Sequence, residues 1–342
     1  MAGSGTAHMR NNDEVVLEVR DLVVEFKVGG GKVVNAVSKI SFDVCRGETL
    51  AVVGESGCGK TTLGKAVLQL PPPNSGDVIF EGTNLSKLPK EQLRSARTAM
   101  QMVFQDPISS LDPRMTVRDL VEEPLWIWDR SNEEDRAAKV RELLNNVGLD
   151  PELVLNRRSY EFSGGQCQRI SIARSLALEP RMLICDEPVS ALDVSIQAQI
   201  LNLLQDMKDR YGLTMIFISH DLAVVKAVSN RIMVMYLGKI CEVGDPRRST
   251  PSPRTTTRVR SSTQYPFLTQ LASGPTYRCR VNRRLPSHRH RAAVSAPAAR
   301  LPPTSAPPKN RSCVRCRPVN SWPATTLASD PTLARLIRHL RV

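Results

Sequence analysis

Residues 54–62 read GESGCGKTT and stand between two segments of opposite character. Before them runs Leu50-Ala51-Val52-Val53, an apolar stretch of strand type, and after them Leu63-Gly64-Lys65-Ala66-Val67-Leu68 has the make-up of a helix. Gly54, Gly59, Lys60 and Thr61 fall at the GxxxxGK[ST] spacing. The segment therefore predicts a strand, a phosphate-binding loop and a helix start. This constrains the fold more than any other feature, because such a loop needs a buried strand feeding a helix whose N-terminus faces the ligand. Its glycines let backbone N–H groups turn inward on phosphate oxygens. Gly54, Glu55, Ser56, Gly57, Cys58, Gly59, Lys60, Thr61 and Thr62 are expected to hold a nucleotide. Within them Lys60 is expected to reach the β- and γ-phosphates, and the Thr61 hydroxyl to ligate Mg²⁺.

The rest of the first 245 residues reads as α/β. Segments 15–19 and 33–44 are rich in β-branched residues and are broken by the glycine turn at 29–31. A proline-rich loop at 71–76 precedes a short strand at 77–80, a short helix at 89–97 and an apolar strand at 100–104. Apolar residues then take helical spacing over 116–128 and 133–147, with Ser131 or Asn132 as N-cap of the second stretch. This is a helical insert, at about 106–160. Helix from 165, strand 182–185, helix 194–210, strand 214–218, helix 222–228 and strand 231–236 follow. Such alternation predicts a largely parallel sheet.

Several residues stand at strand ends or helix starts, where α/β sheets bind ligands. Met182-Leu183-Ile184-Cys185 ends in Asp186 and Glu187, predicting Asp186 as a holder of Mg²⁺ and Glu187 as general base for an attacking water. An ordinary strand ending in a solvated acidic turn is the plain alternative. Ser163, Gly164, Gly165 and Gln166 open a helix and form a second phosphate-type N-terminus. One nucleotide does not need two such sites on one chain, so this one is expected to serve the nucleotide of a partner subunit. His220, just past a strand end, is placed to donate to a γ-phosphate. Gln105, after another strand, is placed to contact Mg²⁺ or the attacking water.

The order of these elements resembles the ATP-binding cassette of ABC transporters over about residues 15–245. The P-loop, Gln105, Ser163–Gln166, Asp186-Glu187, Ser190-Ala191-Leu192-Asp193 and His220 correspond to that family's Walker A, Q-loop, signature, Walker B, D-loop and H-loop. Phe162 stands where Leu is usual in the signature. The runs QMVFQDP from Gln101 and SLDPRMTV from Ser110, with FSGGQCQRI from Phe162 and CDEPVSALDVSIQ from Cys185, are similar to the oligopeptide, dipeptide and nickel importer group. Of the paired ATPases in those importers, the match is to the one that carries SGGQ rather than SGGM. The resemblance implies a P-loop NTPase fold of class α/β: a RecA-like parallel-sheet core with an antiparallel β subdomain and an α-helical subdomain. It also implies ATP and Mg²⁺ as cofactors, with Asp193 adding to the nucleotide site, and an aromatic platform for the adenine before the second strand; Phe26 is the nearest aromatic there, with a strand-end core position as its plain alternative. The implied partners are a second ABC ATPase subunit (homo- or heterodimer), two transmembrane permease subunits and a solute-binding protein. The implied place is peripheral, on the cytoplasmic face of the plasma membrane.

No stretch reaches the roughly 18–20 apolar residues that span a bilayer, and the polar start lacks the apolar core of a signal peptide. A cytosolic chain with reduced cysteines is expected. Of Trp126 and Trp128, two residues apart on one helix, one is expected in the core and the other toward a membrane subunit.

The net charge of +13 is unevenly spread. Residues 247–342 hold 19 Lys and Arg against the single acid Asp330, a net of +18, so residues 1–246 carry −5. Thirteen of the 24 prolines lie in the same segment, and such a composition predicts disorder. Residues 1–14 read as a flexible N-terminus. Importers of the resembled group continue past this point with a folded extension that starts with a His-Pro-Tyr-Thr-like helix, and nothing here matches it. Two readings are open: a reading frame shifted near Pro246, or a genuine basic tail that binds anionic lipid or nucleic acid. Gene sequencing separates them, since the first fails if neither alternative frame encodes a family-like extension. The genuine tail would suit an alternative function, a non-transport ABC ATPase acting on nucleic acid. Cys313 and Cys316, with Cys279, His288 and His290, lack the spacing of a zinc site.

Overall fold

The computed structural model describes residues 8–10, 14–28, 32–128 and 132–246. The turn at 29–31, Ser131, the basic tail from 247 and its Cys and His residues lie outside the described residues, as do most of residues 1–14. In chain order the elements are β1 (Val15–Val28), β2 (Lys32–Cys45), β3 (Thr49–Gly54), α1 (Lys60–Val67), β4 (Ser75–Phe80), β5 (Thr83–Asn84), α2 (Lys90–Ala96) and β6 (Met100–Val103). Next come α3 (Pro107–Ser110), α4 (Val117–Ile127), α5 (Glu133–Asn146), α6 (Pro151–Val154) and α7 (Gly164–Leu176). The last are β7 (Met182–Asp186), α8 (Val194–Tyr211), β8 (Thr214–Ile218), α9 (Leu222–Val228), β9 (Arg231–Tyr236) and β10 (Lys239–Gly244).

The described strands form two sheets. One is antiparallel, of order β2-β1-β4-β5. The other has order β10-β9-β3-β8-β7-β6; β9, β3, β8, β7 and β6 are parallel and β10 runs antiparallel to β9. Every residue of β3, β7 and β8 is buried, which is why these strands read as unbroken apolar runs. β1 behaves differently. Val16 is buried at its start; beyond it the buried positions are Leu17 and Val19, then Leu22 and Val24, so the inward parity flips part-way along the strand. A register shift between Val19 and Leu22, with Asp21 at φ 46°, inserts the odd residue that causes the flip.

α1 joins the two sheets. Leu63, Ala66 and Val67 pack in one cluster with Leu17, Val19 and Leu22 of the antiparallel sheet and Ile184, Ile216 and Ile218 of the parallel one. Burying Leu63 and Val67, both at most 1% exposed, stabilises this union by about 3–6 kcal/mol. The opposite face of the parallel sheet carries α7 and α8. A second cluster there takes in Val117, Leu120 and Val121 of α4 and Val140, Leu143 and Leu144 of α5.

The helical segment begins where its polar residues cap it. Thr116 and Asp119 form a reciprocal capping box on α4, and Asn132 caps α5 through a bond accepted from the Asp135 N–H at 2.8 Å. Trp126 is 68% exposed, whereas Trp128 packs on the core beneath the Arg94 guanidinium. Two short helices, α3 and α6, and two strands, β5 and β10, were not anticipated from sequence. α3 and α6 each begin with an Asp-Pro pair whose Asp side chain accepts from the first turn, a legible start signal on a piece too short to show periodicity. β10 is an edge strand with no fully buried residue, so it lacks the apolar run that marked its neighbours.

Candidate active site

The sheet order β3-β8-β7-β6 sets four parallel strands side by side. Their C-terminal ends deliver, in turn, the loop after Gly54, His220, Asp186 with Glu187, and Gln105 to one edge. These residues are scattered over more than 160 positions of sequence, yet the P-loop, Gln105, Glu187 and His220 line one cleft of about 780 Å³.

The P-loop forms part of its lining. Lys60 is 5% exposed, and its Nζ donates to the carbonyls of Gly54 and Glu55, both at 2.8 Å. An ammonium ion bent back over its own loop is held at the loop's concave side, where an anion would meet it. Gly59 takes φ 101° immediately before α1, and its carbonyl accepts the Leu63 N–H at 2.8 Å. Cys58 is buried within the loop, and burial pushes its thiol up, so it is a packing residue rather than a nucleophile.

Beside the loop, Thr61 Oγ1 donates to Asp186 Oδ1 at 2.9 Å. Asp186 is 2% exposed. Burial pushes its carboxyl above the ordinary range; the Thr61 bond and Lys65 oppose the rise, and the charge of Glu187 adds to it. A desolvated carboxylate next to a hydroxyl is a donor set that suits a hard divalent cation. Glu187 follows with φ 46°, a left-handed backbone held by its N–H bond to the Ile218 carbonyl at 3.0 Å. Strain of this kind at a residue that lines the cleft makes Glu187 a candidate for a role there. Glu187 Oε2 accepts from Gln105 Nε2 at 3.1 Å and lies 3.2 Å from His220 Nδ1.

Besides the P-loop, Gln105, Glu187 and His220, the cleft is lined by Phe26, Val34, Asn35, Ala36, Leu237 and Gly238, of which Phe26, Val34, Ala36 and Leu237 are apolar. Phe26 is 42% exposed, which corrects the core reading of this residue: its strand runs beyond the packed region, and the side chain faces the cleft.

Ser163, Gly164, Gly165, Gln166 and Asp193 are not among the residues lining this cleft. Ser163 and Gln166 form a reciprocal capping box at the start of α7, with the Ser163 N–H donating to Gln166 Oε1 at 3.0 Å. Ser163 is exposed, and Asp193 is exposed at the start of α8. A second helix N-terminus thus stands ready but addresses no part of its own chain's P-loop cleft.

A family model described as ABC transporter matches residues 37–190. The chain is 46% identical over 272 residues to the oligopeptide transport ATP-binding protein OppF of Haemophilus influenzae, covering 77% of this chain and 79% of that protein. The chain belongs to the ABC transporter family. It is also 49% identical over 239 residues to the oligopeptide transport ATP-binding protein AppF of Bacillus subtilis, covering 68% of this chain and 72% of that protein. Among solved structures it resembles the dimeric post-hydrolysis state of the ATP-binding cassette MJ0796 bound to ADP and Pi, with a TM-score of 0.62 and 27% identity over 68% of this chain and 99% of that one. The cassette fold read from the sequence, with its parallel core, antiparallel sheet and helical segment, therefore holds, and the chain is an ABC-type ATPase. The nucleic-acid alternative is not supported: the matched relatives are transport subunits.

Sequence reasoning about the cassette missed the cleft residues Val34, Asn35, Ala36, Leu237 and Gly238. They form no motif; only the pairing of β2 with β1 and the placing of the β9–β10 turn bring them to the P-loop. Among the described residues no helix is long and apolar enough to cross a membrane.

The buried Asp186 has a consequence for stability. Its carboxyl is raised in the fold, so what it contributes to stability is present at acid pH and lost as pH rises through that raised value. Asp186→Asn keeps an acceptor for Thr61 and removes the buried charge. The ligand-free variant is expected to unfold at a higher temperature than the wild-type cassette at neutral pH, with a flatter pH profile. Calorimetry across pH checks this, and a lower unfolding temperature at neutral pH contradicts it.

Proposed function

We propose that this cassette binds MgATP through Gly54–Thr62, hydrolyses it with Glu187 as general base, and drives import of peptides as one of two cassettes in a transporter. One observation carries the reading: Lys60, the Thr61–Asp186 pair and the Glu187–Gln105–His220 cluster converge on a single sheet edge. The names of the relatives, oligopeptide transport ATP-binding proteins, support peptides as the transported class.

In this reading the P-loop N–H groups and Lys60 cradle the β- and γ-phosphates. Thr61, Asp186 and Gln105 would hold Mg²⁺, which when bound would supply positive charge to offset that of the phosphates. Glu187 Oε2 accepts a proton from the attacking water, whose oxygen bonds to the γ-phosphorus as the bond to ADP breaks. Gln105 keeps that carboxylate turned toward the water. His220 donates to a γ-phosphate oxygen and stabilises the charge that develops there.

Ser163, Gly164, Gly165, Gln166 and Asp193 act on the nucleotide of a second cassette, identical or not, because their own chain's cleft does not use them. The dimeric MJ0796 cassettes support such a pairing. Two permease subunits and a solute-binding protein complete the assembly, with this chain bound peripherally at the cytoplasmic face of the membrane. Residues 15–245 form the ATP-binding unit, preceded by 1–14 and followed by the basic segment 246–342. Cells that lack this chain are expected to lose uptake of labelled short peptides at least about tenfold, and to regain it with wild type but not with a Glu187→Gln chain. Unchanged uptake in the deletion strain removes peptides as the solute while leaving the ATPase reading intact.

A further inference from the structure

The turn between β9 and β10 belongs to no nucleotide-binding motif, yet Leu237 and Gly238 both line the P-loop cleft. The turn is pinned on two sides. The Gly238 N–H donates to the Cys58 carbonyl of the P-loop at 3.0 Å, and the Gly238 carbonyl accepts from the Ser38 N–H of β2 at 2.7 Å. Gly238 sits at φ 73°, and a Cβ there would lie 2.9 Å from the Ala36 carbonyl oxygen and 3.1 Å from that of Asn35. Glycine is what allows the turn to press against β2.

That anchoring fixes Leu237 in an unfavourable position. Its φ is 44°, a left-handed backbone that asparagine or glycine takes readily and a branched apolar residue does not. Its side chain is 70% exposed. Backbone strain and apolar exposure coincide in one residue that faces a ligand cleft, and such an outlier points to function. The neighbours say which. Phe26 and Val34 are paired across β1 and β2, are 42% and 50% exposed, and line the same cleft as Leu237. Lys60 and Thr61 line it as well. The cleft thus joins apolar side chains to a phosphate-binding loop, the two chemistries that the base and the phosphates of a nucleotide need.

We propose that Leu237 is a base-binding residue: its side chain completes, with Phe26 and Val34, the apolar surface that the nucleotide base covers, and Gly238 keeps that surface in register with the P-loop. This rests on the nucleotide reading of the cleft. The probes are ADP and inorganic pyrophosphate, titrated calorimetrically into the full chain. Pyrophosphate addresses the P-loop and carries no base. Leu237→Asn is expected to weaken ADP about fivefold, the loss that uncovering part of a leucine predicts, and to leave pyrophosphate unchanged. Its unfolding temperature should equal or exceed that of wild type, because asparagine tolerates the left-handed turn. Leu237→Phe should keep ADP affinity within about twofold, since it keeps an apolar surface for the base. Wild-type ADP affinity in Leu237→Asn overturns the proposal, and so does an equal loss of ADP and pyrophosphate, which would place the effect at the P-loop. Failure of the underlying reading looks different: the wild-type chain would then bind neither probe.

Discussion

Glu187→Gln is expected to lower ATP turnover by at least about a hundredfold while leaving ATP affinity within about threefold. The two side chains have the same shape, so the substitution isolates the proton-accepting capacity of one carboxylate oxygen. The left-handed backbone at 187 is held by a main-chain bond to Ile218, which the variant keeps. The amide oxygen can still accept from Gln105 Nε2, so the geometry around the site is retained. Only basicity is lost, and the attacking water then keeps its proton as it approaches phosphorus. Steady-state phosphate release and equilibrium ATP binding measure the two halves of this expectation. A variant that hydrolyses ATP at the wild-type rate would remove Glu187 as the base and shift the role to His220, whose Nδ1 lies 3.2 Å away.

Gly59→Ala is expected to abolish nucleotide binding and to lower the unfolding temperature by about 6–12 °C, which corresponds to about 3 kcal/mol in a unit of this size. Gly59 sits at φ 101°, outside the range that residues with a side chain adopt at low cost. An added Cβ would also stand 2.0 Å from the Ala36 carbonyl oxygen, an overlap with backbone that no rotamer relieves. β2 and the P-loop must then separate. The same separation strains the Gly238 bonds, which tie the P-loop to β2 from the other side. Strain and ligand binding therefore fail together. Thermal unfolding and ADP titration of the variant test this, and a variant with wild-type stability and affinity would show that β2 yields without cost.

Much of the site was legible because phosphate chemistry demands particular residues at short fixed spacings. GESGCGKTT, SGGQ and the strand ending in Asp186-Glu187 each carry their own local geometry, so each could be read without its neighbours. The fold was legible for a related reason: strands buried on both faces, such as Met182–Asp186, show as apolar runs, and capped helices such as Val117–Ile127 show as periodic ones. Elements that rest on neither signal escaped. β10 is an edge strand without a fully buried residue. The parity flip in β1 depends on an extra residue at Asp21 that alternation alone does not reveal. Phe26 and Leu237 gain their place through strand pairing and a turn, both of which are contacts between segments far apart in sequence.

By itself the order of residues determined which phosphate-type loop and strand-end carboxylates this protein carries, and that two phosphate-type helix starts stand on one chain. Those are local properties, set by glycine conformations, strand hydrophobicity and helix capping. Only the tertiary structure decided which of them meet. The strands pair in the order β3-β8-β7-β6, which is not their order along the chain, because each parallel connection must cross over a face of the sheet before its next strand can pair. That crossing sets Lys60, Thr61, Gln105, Asp186, Glu187 and His220 together and leaves Ser163–Gln166 on another surface. It also sets Leu237 beside the P-loop, where packing and main-chain bonds, rather than any motif, hold it against the cleft.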